Sequence, residues 1–139
     1  MGGGTGRELP RADMLIAIMG APHTGDLVTS AFRLAQALLE RGASVHLWTC
    51  GHATGLTRTS LGDEKPRNVV DWARAYPTTA ALAAELLAAH PAKLHWFACR
   101  FCSQERGADA HIPGIRLRAP FKFTEHLEAA DKSFFLGVC

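Results

Sequence analysis

Met14-Leu-Ile-Ala-Ile-Met19 is an unbroken apolar run, closed by Gly20 and Pro22. With no polar residue alternating through it, the run reads as a strand buried on both faces. Two buried faces require covering helices, and the next segment supplies one. Leu27, Ala31, Leu34, Ala35 and Leu38 recur at helical spacing, and Val28, Phe32 and Leu39 widen the stripe. Asp26 stands where an N-cap belongs and Gly42 where a helix stops. Each large side chain that this stripe buries contributes roughly 1.5–3 kcal/mol, so packing holds the helix more than propensity does. After the turn at Arg41-Gly42-Ala43, Ser44 to Cys50 reads as a second strand. Strand, helix, strand at this spacing predicts a parallel crossover.

Further along, Gly51 to Pro66 is turn-rich and aperiodic, which predicts a long loop with at most a short helical turn. Arg67 to Tyr76 is assigned to a helix, and Pro77-Thr78-Thr79 opens a firmer one, Ala80 to Ala89, which Pro91 closes. Lys93 to Ala98 is a third strand, ending at Cys99, and a short helix begins at the cysteine pair and ends near Gly107. Gly114 to Arg118 is a short strand, Thr124 to Ala130 a short helix, and Ser133 to Val138 a last apolar strand. The expectation is an α/β fold: one domain, with a mainly parallel sheet of about five strands and helices on both faces. A chain of 139 residues suits a single domain. The glycine-rich residues 1–13 are read as a flexible tail ahead of a domain over residues 14–139.

Charge and hydropathy narrow the function. Lys and Arg total 15 against 13 Asp and Glu, and no segment carries five like charges in a row, so a nucleic-acid partner is not expected. The first apolar run is far short of the roughly 20 residues a membrane span needs, and the start lacks an export pattern, which together predict a cytoplasmic protein with no membrane partner. Met1-Gly2 opens like a myristoylation signal, but Gly6 stands where that signal needs Ser or Thr. Gly20-Ala-Pro-His-Thr-Gly25 has the spacing of a phosphate loop, yet Asp26 replaces its lysine and Leu27 its hydroxyl. A carboxylate there would repel phosphate. His46 and His95, inside strands, are assigned to a hydrogen-bonded core, and His90 and His126 to partly exposed positions.

Four cysteines remain, at 50, 99, 102 and 139. A core of this size does not need disulfide staples, so the thiols are expected to be reactive or metal-bound. In an open parallel sheet chemistry gathers at the C-terminal ends of strands. Cys50 closes the second strand there, and Cys99 and Cys102 open the segment after the third. A helix starting near Cys99 would favour its thiolate, with Arg100 and Arg106 adding positive charge. Cys99 is thus a candidate nucleophile, and a small buried apolar residue is the plain alternative.

These stretches together resemble the DsrE/DsrF/TusD group of small sulfur-relay proteins. The first strand with Gly20-Ala-Pro-His-Thr24 looks like the group's opening strand and loop. Thr29-Ser-Ala-Phe-Arg-Leu-Ala-Gln-Ala-Leu-Leu-Glu-Arg-Gly42 looks like its first helix. Cys99 through Arg106-Gly107 is similar to the stretch that holds the active cysteine in sulfur-carrying members, and Asp131-Lys-Ser-Phe-Phe-Leu136 to the closing strand. The resemblance implies a DsrE-like α/β fold, homotrimers or homohexamers, and sulfurtransferase-like persulfide transfer between donor and acceptor proteins with no required cofactor. Carried over, Cys99 forms the persulfide, with Cys102 as its thiol partner and Arg100 beside them.

Cys102 and Cys50-Gly51-His52 depart from a single-cysteine relay. An extra thiol could resolve a persulfide into a disulfide. Cys50, His52, Cys99 and Cys102 also form a three-Cys, one-His set suited to tetrahedral zinc, if the second and third strand ends converge. A thioredoxin-like dithiol switch and a non-catalytic interaction subunit complete the alternatives. Cys139 is left unassigned.

Overall fold

The computed structural model describes residues 9–23, 26–65 and 75–138. The elements are β1 (Ala12–Met19), α1 (Leu27–Glu40), β2 (Val45–Cys50), α2 (Thr79–Ala89), β3 (Leu94–Cys99), α3 (Arg100–Glu105), β4 (Ile115–Arg118), α4 (Phe123–Ala129) and β5 (Ala130–Leu136). All five strands lie in one sheet of order β4-β3-β2-β1-β5, and every neighbouring pair is parallel. The single α/β domain, its parallel five-stranded sheet and its helices on both faces match the expectation.

The pleat divides each strand between two layers. On one face Ile16, Ile18, Val45, Leu47, Leu94 and Trp96 pack against Val28, Ala31, Phe32, Ala35 and Leu39 of α1 and Ala83 of α2. Phe32 meets Trp96 edge to face, ring centroids 5.7 Å apart. On the other face Leu15, Ala17, Trp48 and Phe97 are covered by Leu9 and by Phe123 of α4. His126 is assigned above to a partly exposed position but is fully buried. The reason is that α4 lies flat on the sheet, which sets the His126 ring 4.5 Å from Phe97 and 4.9 Å from Trp48, centroid to centroid.

His46 is buried as expected, but both its ring nitrogens lack a hydrogen-bond partner among the described residues. Its neighbours are the rings of His95, Phe97 and His126. Burial lowers the pKa of His46 to about 4, with His95 adding a smaller effect in the same direction. His126 is lowered to about 4 as well, by burial first and then by the Arg118 charge.

Several boundaries differ from the sequence reading. β1 begins at Ala12, two residues early, because Ala12 pairs with Ala130 of β5 and the Asp13 carboxylate accepts hydrogen bonds from the Ser44 N–H (2.8 Å) and hydroxyl (3.1 Å). Of the tail assigned to residues 1–13, residues 1–8 lie outside the described residues. β5 begins at Ala130 because it follows α4 with no intervening loop. The loop after β2 winds into 3-10 turns over Gly51–Thr57 and Thr59–Leu61. Most of the helix assigned to Arg67–Tyr76 falls outside the described residues; Ala75 and Tyr76 are non-helical. Asp26 occupies the N-cap of α1 without a side-chain cap bond, whereas the Thr78 hydroxyl caps α2 by accepting from the Ala81 N–H at 3.1 Å.

At the C-terminal edge of β1 two glycines interlock. Gly20 and Gly137 have φ of +84° and +82°, and a Cβ on either would run into the backbone oxygen of Val138 or Met19 respectively. Only glycine fits these positions. Among the described residues no helix is long and apolar enough to cross a membrane.

Candidate functional site: a three-thiol centre

β2 and β3 run side by side in parallel, with Thr49 opposite Ala98. The residue after each is a cysteine, so Cys50 and Cys99 emerge together at the C-terminal edge. Period-2 alternation puts both on the face that carries Trp48 and Phe97. α3 starts at the next residue, and its first turn folds Cys102 back over the strand ends. The sulfur atoms of Cys50, Cys99 and Cys102 all lie within 4.8 Å of one another, and those of Cys50 and Cys102 are 3.6 Å apart in hydrogen-bond contact. All three are reduced.

The thiols are not equivalent. Cys99 is fully buried, while Cys50 and Cys102 are half-buried and stand in front of it. Cys99 has its pKa drawn well below the usual thiol range, first by the hydrogen bond from the Cys50 thiol, against a smaller opposing effect of burial, and then by hydrogen bonds from the Cys102 N–H and thiol and the Phe101 N–H. Cys50 is pushed the other way: the bond it gives to Cys99 holds its proton in place, and burial adds to the effect. These opposite shifts favour negative charge on Cys99 and a proton on Cys50.

Neither arginine is among the causes of the Cys99 shift. Arg100 is exposed at the first position of α3, and Arg106 donates to the Glu105 carboxylate at 3.1 Å. Backbone and thiol hydrogen bonds do the work that the sequence reading gave to arginine charge. His52 is exposed on the 3-10 turn after Cys50 and is not among the ligand atoms gathered within 4.8 Å. The convergence of strand ends required for a shared centre is present for the three cysteines. Cys139 lies outside the described residues.

A second group, unnoticed in the sequence, holds α3 in place. The His111 ring shares a hydrogen bond with the Thr57 hydroxyl at Nδ1 (2.8 Å) and with the Ser103 hydroxyl at Nε2 (3.1 Å). Thr57 and Ser103 are fully buried. The imidazole thus ties the loop after β2, which leaves Cys50, to the helix that carries Cys102. Burial is the main influence on His111 and lowers its pKa. Thr57 is 54 residues from His111, so no local spacing announces the link.

Chemically, a thiolate next to two thiols at a strand edge can attack a disulfide or persulfide sulfur, and the pair can close to a disulfide. The same three sulfurs are a soft donor set for a thiophilic metal.

No protein-family model matches the chain, and no curated protein matches its sequence. Among solved structures it is similar to the ychN protein from E. coli, with a TM-score of 0.69 and 21% identity over 91% of this chain and 99% of that one. At this identity the likeness establishes the fold, which is DsrE-like.

Proposed function

We propose that this protein is a sulfur carrier that holds sulfane sulfur as a persulfide on Cys99. The observation that carries the reading is the gathering of three cysteine sulfurs within 4.8 Å of one another at the C-terminal edge of a parallel sheet, where hydrogen bonds lower the pKa of Cys99. Because Cys99 is buried, the half-buried Cys102 takes the sulfur first: its thiolate attacks the outer sulfur of the donor persulfide, and the donor leaves as a thiolate. The Cys99 thiolate then attacks the outer sulfur of a Cys102 persulfide, and Cys102 leaves as a thiolate. One S–S bond breaks and one forms, so no oxidant or reductant is needed. The low pKa of Cys99 keeps it ionised at neutral pH, which this attack requires.

The partners in this reading are donor and acceptor proteins in the reducing cytoplasm, and the working form is a homotrimer or homohexamer. Support for assembly comes from apolar side chains left at the β5 edge and near α4: Phe121, Phe134, Phe135 and Val138 are all exposed.

Brief exposure of the anaerobic, reduced protein to a small alkyl persulfide, followed at once by intact-mass measurement, tests the reading. The expected product carries one extra sulfur, located on Cys99 by peptide mapping, whereas in Cys99→Ser any sulfur retained stays on Cys102. An unchanged mass in the parent protein would overturn it.

A metal reading has one specific observation in its favour. Three sulfurs within 4.8 Å of one another suit bonds of about 2.3 Å to a single zinc ion. Cys50, Cys99 and Cys102 would be the ligands, with the fourth position left to solvent or an incoming thiol. Native and denaturing mass spectra of protein purified without chelator separate this from the carrier reading, since a bound ion is released only on denaturation.

A further inference from the structure

A carrier needs one cysteine, and this site places two more thiols against each other in front of it. The Cys50 and Cys102 sulfurs are 3.6 Å apart, on separate elements, with both side chains part-exposed. A disulfide bond is about 2.0 Å long, so a small movement of the two side chains joins them. We infer that the site also discharges sulfane sulfur as hydrogen sulfide, by closing a Cys50–Cys102 disulfide. This inference rests on the carrier reading above, because the sulfur must first be bound at Cys102.

The step balances without an outside oxidant. The Cys50 sulfur attacks the inner sulfur of the Cys102 persulfide. The Cys50–Cys102 bond forms, the bond from Cys102 to the outer sulfur breaks, and the outer sulfur departs with the bonding pair as hydrosulfide. That sulfur is reduced by two electrons, and the two cysteine sulfurs together are oxidised by two. The Cys50 proton passes to a Cys99 thiolate, whose sulfur lies within 4.8 Å of the Cys50 sulfur. Charge is conserved, since a thiolate is consumed and a hydrosulfide released. A dithiol reductant reopens the disulfide, becoming a disulfide itself, and resets the site.

Cys99 therefore has two uses. As nucleophile it draws the sulfur inward for storage and delivery. As base it accepts the Cys50 proton while the sulfur sits on Cys102. The choice between delivery and discharge depends on whether an acceptor thiol arrives before Cys50 attacks. The chemical class of substrate is any persulfide small or exposed enough to reach Cys102, and the product is hydrogen sulfide.

The experiment is a single turnover under anaerobic conditions. Reduced protein is loaded with a small alkyl persulfide, desalted, and held without reductant or acceptor while released sulfide is trapped and the protein mass is followed. The parent protein is expected to lose its extra sulfur, release one equivalent of sulfide, and end two hydrogens lighter with a Cys50–Cys102 link in non-reducing peptide maps. Cys50→Ser is expected to keep its sulfur at least tenfold longer and to form no disulfide. Persistent extra sulfur on the parent protein, or sulfide release paired with a Cys99–Cys102 link instead, would overturn the inference and leave the carrier reading standing. Absence of extra sulfur in both proteins, with no sulfide released, would mean that the carrier reading itself has failed. The peptide map of the parent protein decides the matter even if the serine variant folds poorly.

Discussion

The sulfurs of Cys50 at the end of β2 and Cys99 at the end of β3 lie within 4.8 Å of each other, and hydrogen bonding between them lowers the pKa of Cys99 more than any other contact. It follows from sheet register. Thr49 faces Ala98, so the next residue on each strand arrives at the same edge and on the same face.

Cys50→Ala removes that donor while leaving the Phe101 and Cys102 N–H groups in place. Thiolate absorbance titrated against pH is expected to show the Cys99 transition moving up towards the ordinary thiol range, whereas Cys50→Ser, which keeps a donor, moves it less. Equal titrations for the parent protein and Cys50→Ala would remove Cys50 from this role.

The buried histidines give a second expectation. His46 and His126 have folded pKa values of about 4, below the ordinary value of 6.5, so the unfolded chain takes up protons that the folded one does not. Their contribution to stability is complete above pH 6.5 and is lost as pH falls to about 4. Denaturant midpoints should drop across that window. Replacing His46 with Leu removes two unpartnered buried nitrogens, which is expected to raise stability at neutral pH by about 1–3 kcal/mol and to flatten the acid-side decline. A flat profile in the parent protein would contradict both.

Gly137→Ala is expected to cost more than about 1 kcal/mol, measured by urea unfolding, since its φ of +82° is strained for alanine and its Cβ would strike the Met19 carbonyl oxygen. Gly42→Ala offers a comparison with a φ of +86° and no atom within 4 Å of the added carbon, so its cost is smaller. If the two cost the same, the close approach at Met19 contributes nothing.

His111→Ala is expected to destabilise the fold by about 1–3 kcal/mol, because it strands the buried Thr57 and Ser103 hydroxyls. A purely structural role ends there. If His111 also positions α3, the variant raises the Cys99 pKa in the same thiolate titration, by disturbing the Phe101 and Cys102 N–H groups that point at it. An unaltered titration at reduced stability would limit His111 to structure.

Much of the architecture is legible in the residues. The apolar run of β1, the helical stripe of α1 and the strand ending at Cys99 each carry a periodic pattern that burial enforces, and their order leaves little choice but a parallel crossover sheet. The convergence of Cys50 with Cys99 and Cys102 was visible only as a condition, because it depends on the register between two strands far apart in the chain, which pairs Thr49 with Ala98. The exposure of His52, the His111 link and the empty hydrogen-bonding positions of His46 carry no local pattern at all. They arise from long-range packing, such as α4 lying across Trp48 and Phe97, which spacing along the chain does not encode.

The most direct test of the account is the location of sulfur in loaded protein. Cys50→Ser, treated anaerobically with a small alkyl persulfide and digested without reduction, should yield the peptide that contains Cys99 heavier by one sulfur atom, with fragmentation placing that atom on Cys99. Sulfur found on Cys102 alone, or on no cysteine, would contradict the claim that Cys99 is the carrier.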